Sequence, residues 1–200
     1  NLSEQFDIVF HCAAIVGGRE TIENEPLKIA TDLAIDADIF NWAIRTKQKK
    51  FVYFSSSAAY PTRLQQHGAK LVEFHINLDN IKNPDMMYGW SKLTGEYVAE
   101  FARTQGLDVH IFRPFSGYGE DQDNTYPFPA LVRRGFNREN PFVIWGGKDT
   151  VRDWIHIDDI IEAIMVAIKN DIKGPVNLGT GVPTTFWQFA NKIIKQIPDY

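Results

Sequence analysis

Short runs that are apolar almost throughout alternate along this chain with longer amphipathic stretches, and the alternation predicts its elements. Asp7-Ile-Val-Phe-His-Cys-Ala-Ala14, Lys50-Phe-Val-Tyr-Phe-Ser55 and Val109-His-Ile-Phe-Arg113 read as strands covered on both faces. Helices are predicted over residues 26–46, with Pro26 suited to a first turn, and over 85–105, with Gly106 placed to end it. Shorter strands are expected near 142–144 and 175–178, and helices near 129–136, 158–169 and 185–197. Residues 60–85 and 114–126 read as loops, and a connection as long as the first is usually functional or disordered.

Strands alternating with helices imply an α/β fold, a parallel sheet with helices on both faces. Ligands bind such a sheet beyond the carboxyl ends of its strands. Polar clusters fall there, at 11–19, 55–57 and 113–122. After about Gly119 the chain is richer in proline, tryptophan and short elements, which suggests a smaller lobe facing a substrate. The expected division is a sheet domain over 1–118 and mainly that lobe over 119–200, with segments returning to the main sheet.

Composition narrows the class more than the chemistry. With 44% apolar and 23% charged residues the chain is ordinary for a soluble globular protein. A net charge of −4 leaves no footprint for nucleic acid or an acidic membrane surface. No apolar run approaches the roughly 18 residues of a membrane span, and no basic-then-apolar leader opens the chain. Cys12 is the only cysteine, so no internal disulfide forms and a reducing, cytoplasmic setting is expected. No spacing of His, Cys, Asp or Glu suggests a metal.

The sharpest local feature is Tyr88-Gly-Trp-Ser-Lys92, which stacks a phenol and an ammonium on one helical face. An ammonium beside a phenol favours the phenolate, so the pKa is expected to fall from about 10. Such a tyrosine can exchange a proton with a substrate hydroxyl while hydride moves at carbon. Ser55-Ser56-Ser57 ends a buried strand about thirty residues earlier, where a hydroxyl is placed to hydrogen-bond the same reacting oxygen. His11 and His156 read as structural residues near strand ends, and Asp158 and Asp159 as caps of the helix that follows.

Six motifs in order carry a resemblance. They are His11-Cys-Ala-Ala14, Phe54-Ser-Ser-Ser-Ala-Ala-Tyr-Pro61, Tyr88-Gly-Trp-Ser-Lys92, Arg113-Pro-Phe-Ser-Gly-Tyr-Gly119, Arg152-Asp-Trp-Ile-His-Ile-Asp-Asp159 and Val176-Asn-Leu-Gly-Thr-Gly181. Together the series resembles the extended short-chain dehydrogenases/reductases of the NAD-dependent epimerase/dehydratase type. The resemblance implies a Rossmann-like, doubly wound parallel sheet lacking its first strands, with a smaller C-terminal substrate-binding lobe. It implies Tyr88 as acid/base, Lys92 as its partner and the holder of the nicotinamide ribose, and Ser56, counted back from Tyr60, as the hydroxyl. Ala13, Ala14 and Pro114 become cofactor contacts. Ser57, Ser116, Val143, Trp145 and Arg152 become contacts of a nucleotide-sugar, with Arg152 suited to its diphosphate. The helices at 26–46 and 85–105 become the face of a homodimer.

Departures from the family pattern are informative too. The glycine-rich fingerprint G-x-x-G-x-x-G is absent, and the chain is expected to start three strands late. The residues that separate NAD from NADP fall in that upstream part, so NAD is expected and NADP left open. Ser57 and Ala58 stand where 4,6-dehydratases carry an Asp-Glu pair, and Ala58 also replaces the cysteine of GDP-fucose synthases. Ser116 and Asp32 stand where asparagines are usual. What survives is a Ser-Tyr-Lys set sufficient for hydride out and back at one carbinol carbon, the chemistry of a 4-epimerase. The alternatives are an NADP-dependent keto-sugar reductase resembling GDP-fucose synthase, and a non-catalytic binding protein on the same fold.

Overall fold

The computed structural model describes residues 3–65, 69–144, 147 and 149–198. Its elements run β1 (Ile8–His11), α1 (Arg19–Asn24), α2 (Pro26–Arg45), β2 (Lys50–Phe54), α3 (Thr62–Gln65) and α4 (Met86–Thr104). They continue through β3 (Asp108–Pro114), β4 (Ser116–Tyr118), α5 (Pro127–Phe136), β5 (Val151–His156) and α6 (Ile157–Lys169), then β6 (Val176–Leu178), β7 (Pro183–Thr185) and α7 (Phe186–Gln196). Single 3-10 turns lie at Ser57–Ala59 and Glu73–His75.

The main sheet is parallel throughout, in the order β1-β2-β3-β6. Alternation across the pleat sends Phe51, Tyr53, Val109 and Ile111 into one core with Phe40 and Ala43 of α2 and Ala99 and Ala102 of α4. Val52, Phe112 and Leu178 face the other way, onto Ile160, Ile164 and Ile168 of α6. Helices therefore cover both faces, as a doubly wound Rossmann-like sheet requires. A second sheet, β4-β5-β7, pairs β4 and β5 parallel and β5 and β7 antiparallel, and with α5 and α7 it forms the smaller C-terminal lobe. That lobe is held by aromatic packing: Tyr118 stacks on Phe128 at 3.9 Å, and Phe128 stacks on Phe189 at 4.6 Å.

Local outcomes differ from the sequence reading in several places, β4 among them, which lies in a stretch read as a loop. Residues 142–144 form no strand, because the Val143 carbonyl accepts from the Arg134 guanidinium instead of a neighbouring strand. The first strand stops at His11 rather than Ala14, and the Ile15 N–H leaves the ladder to donate to Asp32 Oδ1 at 2.6 Å. α6 is capped by His156, whose ring nitrogen accepts from Asp158 N at 3.3 Å; Asp158 and Asp159 lie inside the first turn, where the helix dipole favours negative charge.

The buried stripe of α2 holds Asp32 and Asp36 among Ile29, Phe40 and Ala43, and these aspartates face α4. Asp36 is satisfied on both oxygens, accepting from His11 Nε2 at 2.8 Å and from Tyr53 Oη at 2.8 Å. Gly95 lets α4 close over this group, since a Cβ there would sit 1.8 Å from Tyr53 Oη and 2.7 Å from Asp36 Oδ2. Helix propensity alone would make Gly95→Ala stabilising by about 0.8–1 kcal/mol. The clash reverses that sign, so urea unfolding of Gly95→Ala is expected to show a loss of about 1–3 kcal/mol; a gain would show that α4 packs elsewhere.

Candidate active site

The carboxyl end of β2 runs straight into the site. Ser56 opens the 3-10 turn, and its hydroxyl accepts from Ala58 N at 3.1 Å. The start of α4 is pressed onto the same turn: Asp85 N donates to Ala58 O at 3.1 Å, and a Cβ on Gly89 would lie 2.4 Å from that carbonyl. Only glycine permits this approach, and it carries the neighbouring Tyr88 alongside Ser56.

Burial pushes the Tyr88 phenol above its ordinary pKa, and a hydrogen bond from the Ser56 side chain pulls the other way. Lys92 follows one helical turn later, buried, with its ammonium 5.9 Å from the Tyr88 ring centre and 5.7 Å from that of Tyr53. Burial lowers the lysine pKa, while Asp36 and Asp32 oppose the change. The ammonium makes no hydrogen bond to a described side chain. Burial outweighs the acidifying influences on the phenol, where sequence spacing alone pointed to an acidic tyrosine.

One turn further along the same face stands Glu96, which the sequence reading did not single out. Its carboxylate is gripped twice by Arg113, from Nε at 2.8 Å and from Nη2 at 2.7 Å, and it accepts the Ser55 hydroxyl at 2.5 Å. Arg113 Nη1 donates to Tyr60 Oη at 3.0 Å, and Tyr60 in turn donates to Asn177 Oδ1 at 2.6 Å. The network bolts α4, the end of β2, β3 and β6 together around the turn that bears Ser56. Continuing the four-residue spacing from Tyr88 through Lys92 would have reached Glu96; its partner 17 residues on had no local signal.

Ser56, Ser57, Tyr88, Ser116 and Arg152 all line one cleft of about 750 Å³ between the carboxyl edge of the main sheet and the smaller lobe. Its size lies within the range of small-molecule sites. Ala58 is on the same wall, so its methyl occupies a position facing the cleft. Two further residues to which the sequence reading gave no individual role also line it: Arg19 of α1, at the end of the polar cluster 11–19, whose Nη1 donates to Asp85 Oδ2 at 2.9 Å, and Asp85 itself. Partial desolvation against the cleft lowers the Arg152 guanidinium pKa and the Arg19 charge lowers it further, against the pull of Asp85, although the side chain stays exposed. Next to Arg152, Asp153 braces the loop after β6 by accepting from Thr180 N and Gly181 N, both at 2.8 Å.

The other expected contacts are spread more widely. Ala13 and Ala14 follow the end of β1, Ala13 exposed and Ala14 half-buried, and Pro114 ends β3. Val143 lies off the cleft lining and is 46% exposed. Trp145 lies outside the described residues. At the opposite edge of the sheet Asp108, His110 and Asp171 cluster, but Lys173 at 2.7 Å and Lys50 at 3.2 Å already neutralise Asp108, which makes an ion-pair group of it.

A profile of the NAD dependent epimerase/dehydratase family matches residues 1–179. The chain belongs to that family. It is similar to the GDP-L-fucose synthase of Escherichia coli, with 27% identity over 98% of this chain and 66% of that protein. Among solved structures it is similar to UDP-glucose 4-epimerase of Thermotoga maritima bound to UDP-glucose, at 27% identity and TM-score 0.75 over 94% of this chain and 60% of that one. It is also similar to UDP-glucuronic acid 4-epimerase of Bacillus cereus bound to UDP-glucuronic acid and NAD, at 25% identity and TM-score 0.78 over 94% and 59%. The chain thus spans about three-fifths to two-thirds of these relatives.

The residues present fit a dinucleotide along the carboxyl edge. Two alanines follow β1, and the Lys92 ammonium keeps its hydrogen-bonding capacity free beside Tyr88. Breaking the Glu96–Arg113 pair strands a charge whose side chain is 2% exposed. Glu96→Ala is therefore expected to cost about 3–5 kcal/mol in denaturant unfolding. A loss under about 1 kcal/mol, the worth of a surface pair, would show the network to be dispensable.

Proposed function

We propose that the protein to which this chain belongs is an NAD-dependent nucleotide-sugar 4-epimerase acting on a UDP- or GDP-hexose. The observation that supports the reading is that Ser56 and Tyr88 line one cleft of about 750 Å³, with Lys92 one helical turn behind Tyr88. NAD, when bound, supplies a reversible hydride acceptor. Tyr88 takes the proton of the C4 hydroxyl at its phenolic oxygen and returns it after the keto sugar has turned in the cleft. Ser56 donates a hydrogen bond to the same sugar oxygen. Lys92 holds the nicotinamide ribose and supplies the positive charge that a bound, water-excluding site makes more effective. Ala13, Ala14 and Pro114 contact the cofactor, while Ser57 and Ser116 contact the sugar.

Arg152 pairs with the substrate's diphosphate, and Arg19 adds a second guanidinium to the same cleft. Val143 and Trp145 hold the nucleobase in this reading. The outward face of α4 presents Trp90, Tyr97 and Phe101, which supports a homodimer through α2 and α4; sedimentation velocity of the complete protein reads it directly.

The similarity to GDP-L-fucose synthase favours a second reading, a reductase that consumes NADPH on a nucleotide-linked keto-sugar. Ala58 weighs against the proton transfers at sugar carbons that such an enzyme adds, since a methyl group moves no proton. The complete protein, incubated with UDP- and GDP-hexoses, is expected to interconvert C4 epimers with no net consumption of nicotinamide cofactor. Stoichiometric NADPH oxidation would move the assignment to the reductase. Tyr88→Phe should lower kcat by about 10²–10⁴-fold, and Arg152→Gln should act mainly on KM.

A further inference from the structure

Asp85 leaves unmade the contact its position invites. It is the N-cap residue of α4, where an aspartate ordinarily turns its side chain to the first free N–H groups of the helix. Its carboxylate makes no such bond. Met86, the next residue, is held at φ 54°, in the left-handed region that a bulky side chain rarely adopts. Strain of that kind persists only where the surroundings impose it, and it gathers at functional sites. The carboxylate is turned instead to Arg19, whose Nη1 donates to Oδ2 at 2.9 Å and whose Nε is fixed by Glu23 at 2.5 Å. Oδ1 has no partner among the described residues.

Two observations put this group at the reacting end of the cleft. Asp85 N donates to Ala58 O at 3.1 Å, on the turn that Ser56 opens, and Tyr88 follows within the first turn of α4. Asp85, Ser56, Ser57 and Tyr88 all line the cleft, and the Asp85 side chain is 27% exposed, open enough to meet a ligand. We propose that Asp85 is a specificity-determining residue whose carboxylate accepts a hydrogen bond from a ring hydroxyl beside the reacting carbon, so that the cleft takes a neutral hexose and turns away a hexuronate. The proposal deepens the nucleotide-sugar reading and rests on it. A carboxylate can only accept, and hydroxyls are what a sugar held at Tyr88 presents next to its reacting carbinol. Charge supplies the second half of the selection. Arg19 is shared between Glu23 and Asp85, so the three side chains together keep one negative charge. A sugar carboxylate brought there meets repulsion, and like charges set side by side in a binding site are strongly disfavoured.

The test is titration calorimetry on the complete protein with NAD present, in wild-type and Asp85→Ala forms. The probes are UDP, UDP-glucose and UDP-glucuronate, and in parallel GDP, GDP-mannose and GDP-mannuronate. The affinity of each nucleotide-sugar relative to its bare nucleoside diphosphate isolates what the sugar adds. In the wild type the hexose is expected to bind more tightly than the hexuronate. Asp85→Ala should lower the hexose ratio by about tenfold or more, the worth of a hydrogen bond to a charged group. It should also narrow the gap between hexose and hexuronate, with the bare nucleotide held within about twofold. An unchanged ratio, a wild type that prefers the hexuronate, or an equal loss for nucleotide and nucleotide-sugar would overturn the proposal. The last of these would make Asp85 only a tie between α1 and α4. If Asp85→Ala does not fold, Asp85→Asn keeps the size without the charge and is read by the narrowing of the hexose–hexuronate gap. A wild type that binds neither series would overturn the nucleotide-sugar reading and the proposal with it. The predicted binding in a protein that shows no turnover would uphold Asp85 and sink the epimerase reading alone.

Discussion

Carrying charged side chains into a protein interior costs free energy that partners must offset, and α4 carries two of them, Lys92 and Glu96, with Tyr88 one turn ahead on the same face. The four-residue spacing puts all three on the stripe that faces the sheet and α2. Glu96 is fixed by a two-pronged contact with Arg113, both side chains 2% exposed. Away from water such a pair stands only if its remaining hydrogen-bonding capacity is met. Ser55, Tyr60 and the Glu73 carbonyl meet it. The same contacts fix the rotation of α4, and with it the direction in which Tyr88 and Lys92 point.

From that constraint the rest of the site follows. Gly89 and Gly95 remove the two Cβ atoms that would hold α4 off the Ser56 turn and off the Tyr53–Asp36 pair. Apolar packing on both faces of the main sheet offsets the burial of so many ionisable groups, each large apolar side chain contributing about 1.5–3 kcal/mol. The lobe built on β4, β5 and β7 then closes one side of the cleft with Arg152 and the loop braced by Asp153.

Much of this was legible in the sequence where the signal was periodic. Three apolar runs and two long amphipathic stretches located β1, β2, β3, α2 and α4 to within a few residues, because a strand buried on both faces and a helix of about twenty residues each have an unmistakable pattern. The Tyr88 and Lys92 pairing and the serine run were visible for the same reason. β4 and β7 were not: each spans only three residues, too few to show a period of two. The pairing of Arg19 with Asp85 gave no local sign, since they meet across 66 positions of chain. Spacing also gave only one side of the tyrosine's electrostatics. It places an ammonium near the phenol, but the burial that opposes ionisation of both groups belongs to the fold.

The account's central claim is that Ser56 and Tyr88 act on one substrate oxygen as a unit held by α4. A double-mutant cycle of Ser56→Ala and Tyr88→Phe on kcat/KM of the complete protein tests this most directly. The claim predicts strong non-additivity, the double variant being little worse than Tyr88→Phe alone. Losses that simply multiply would mean that the two hydroxyls serve different ends, and would contradict it.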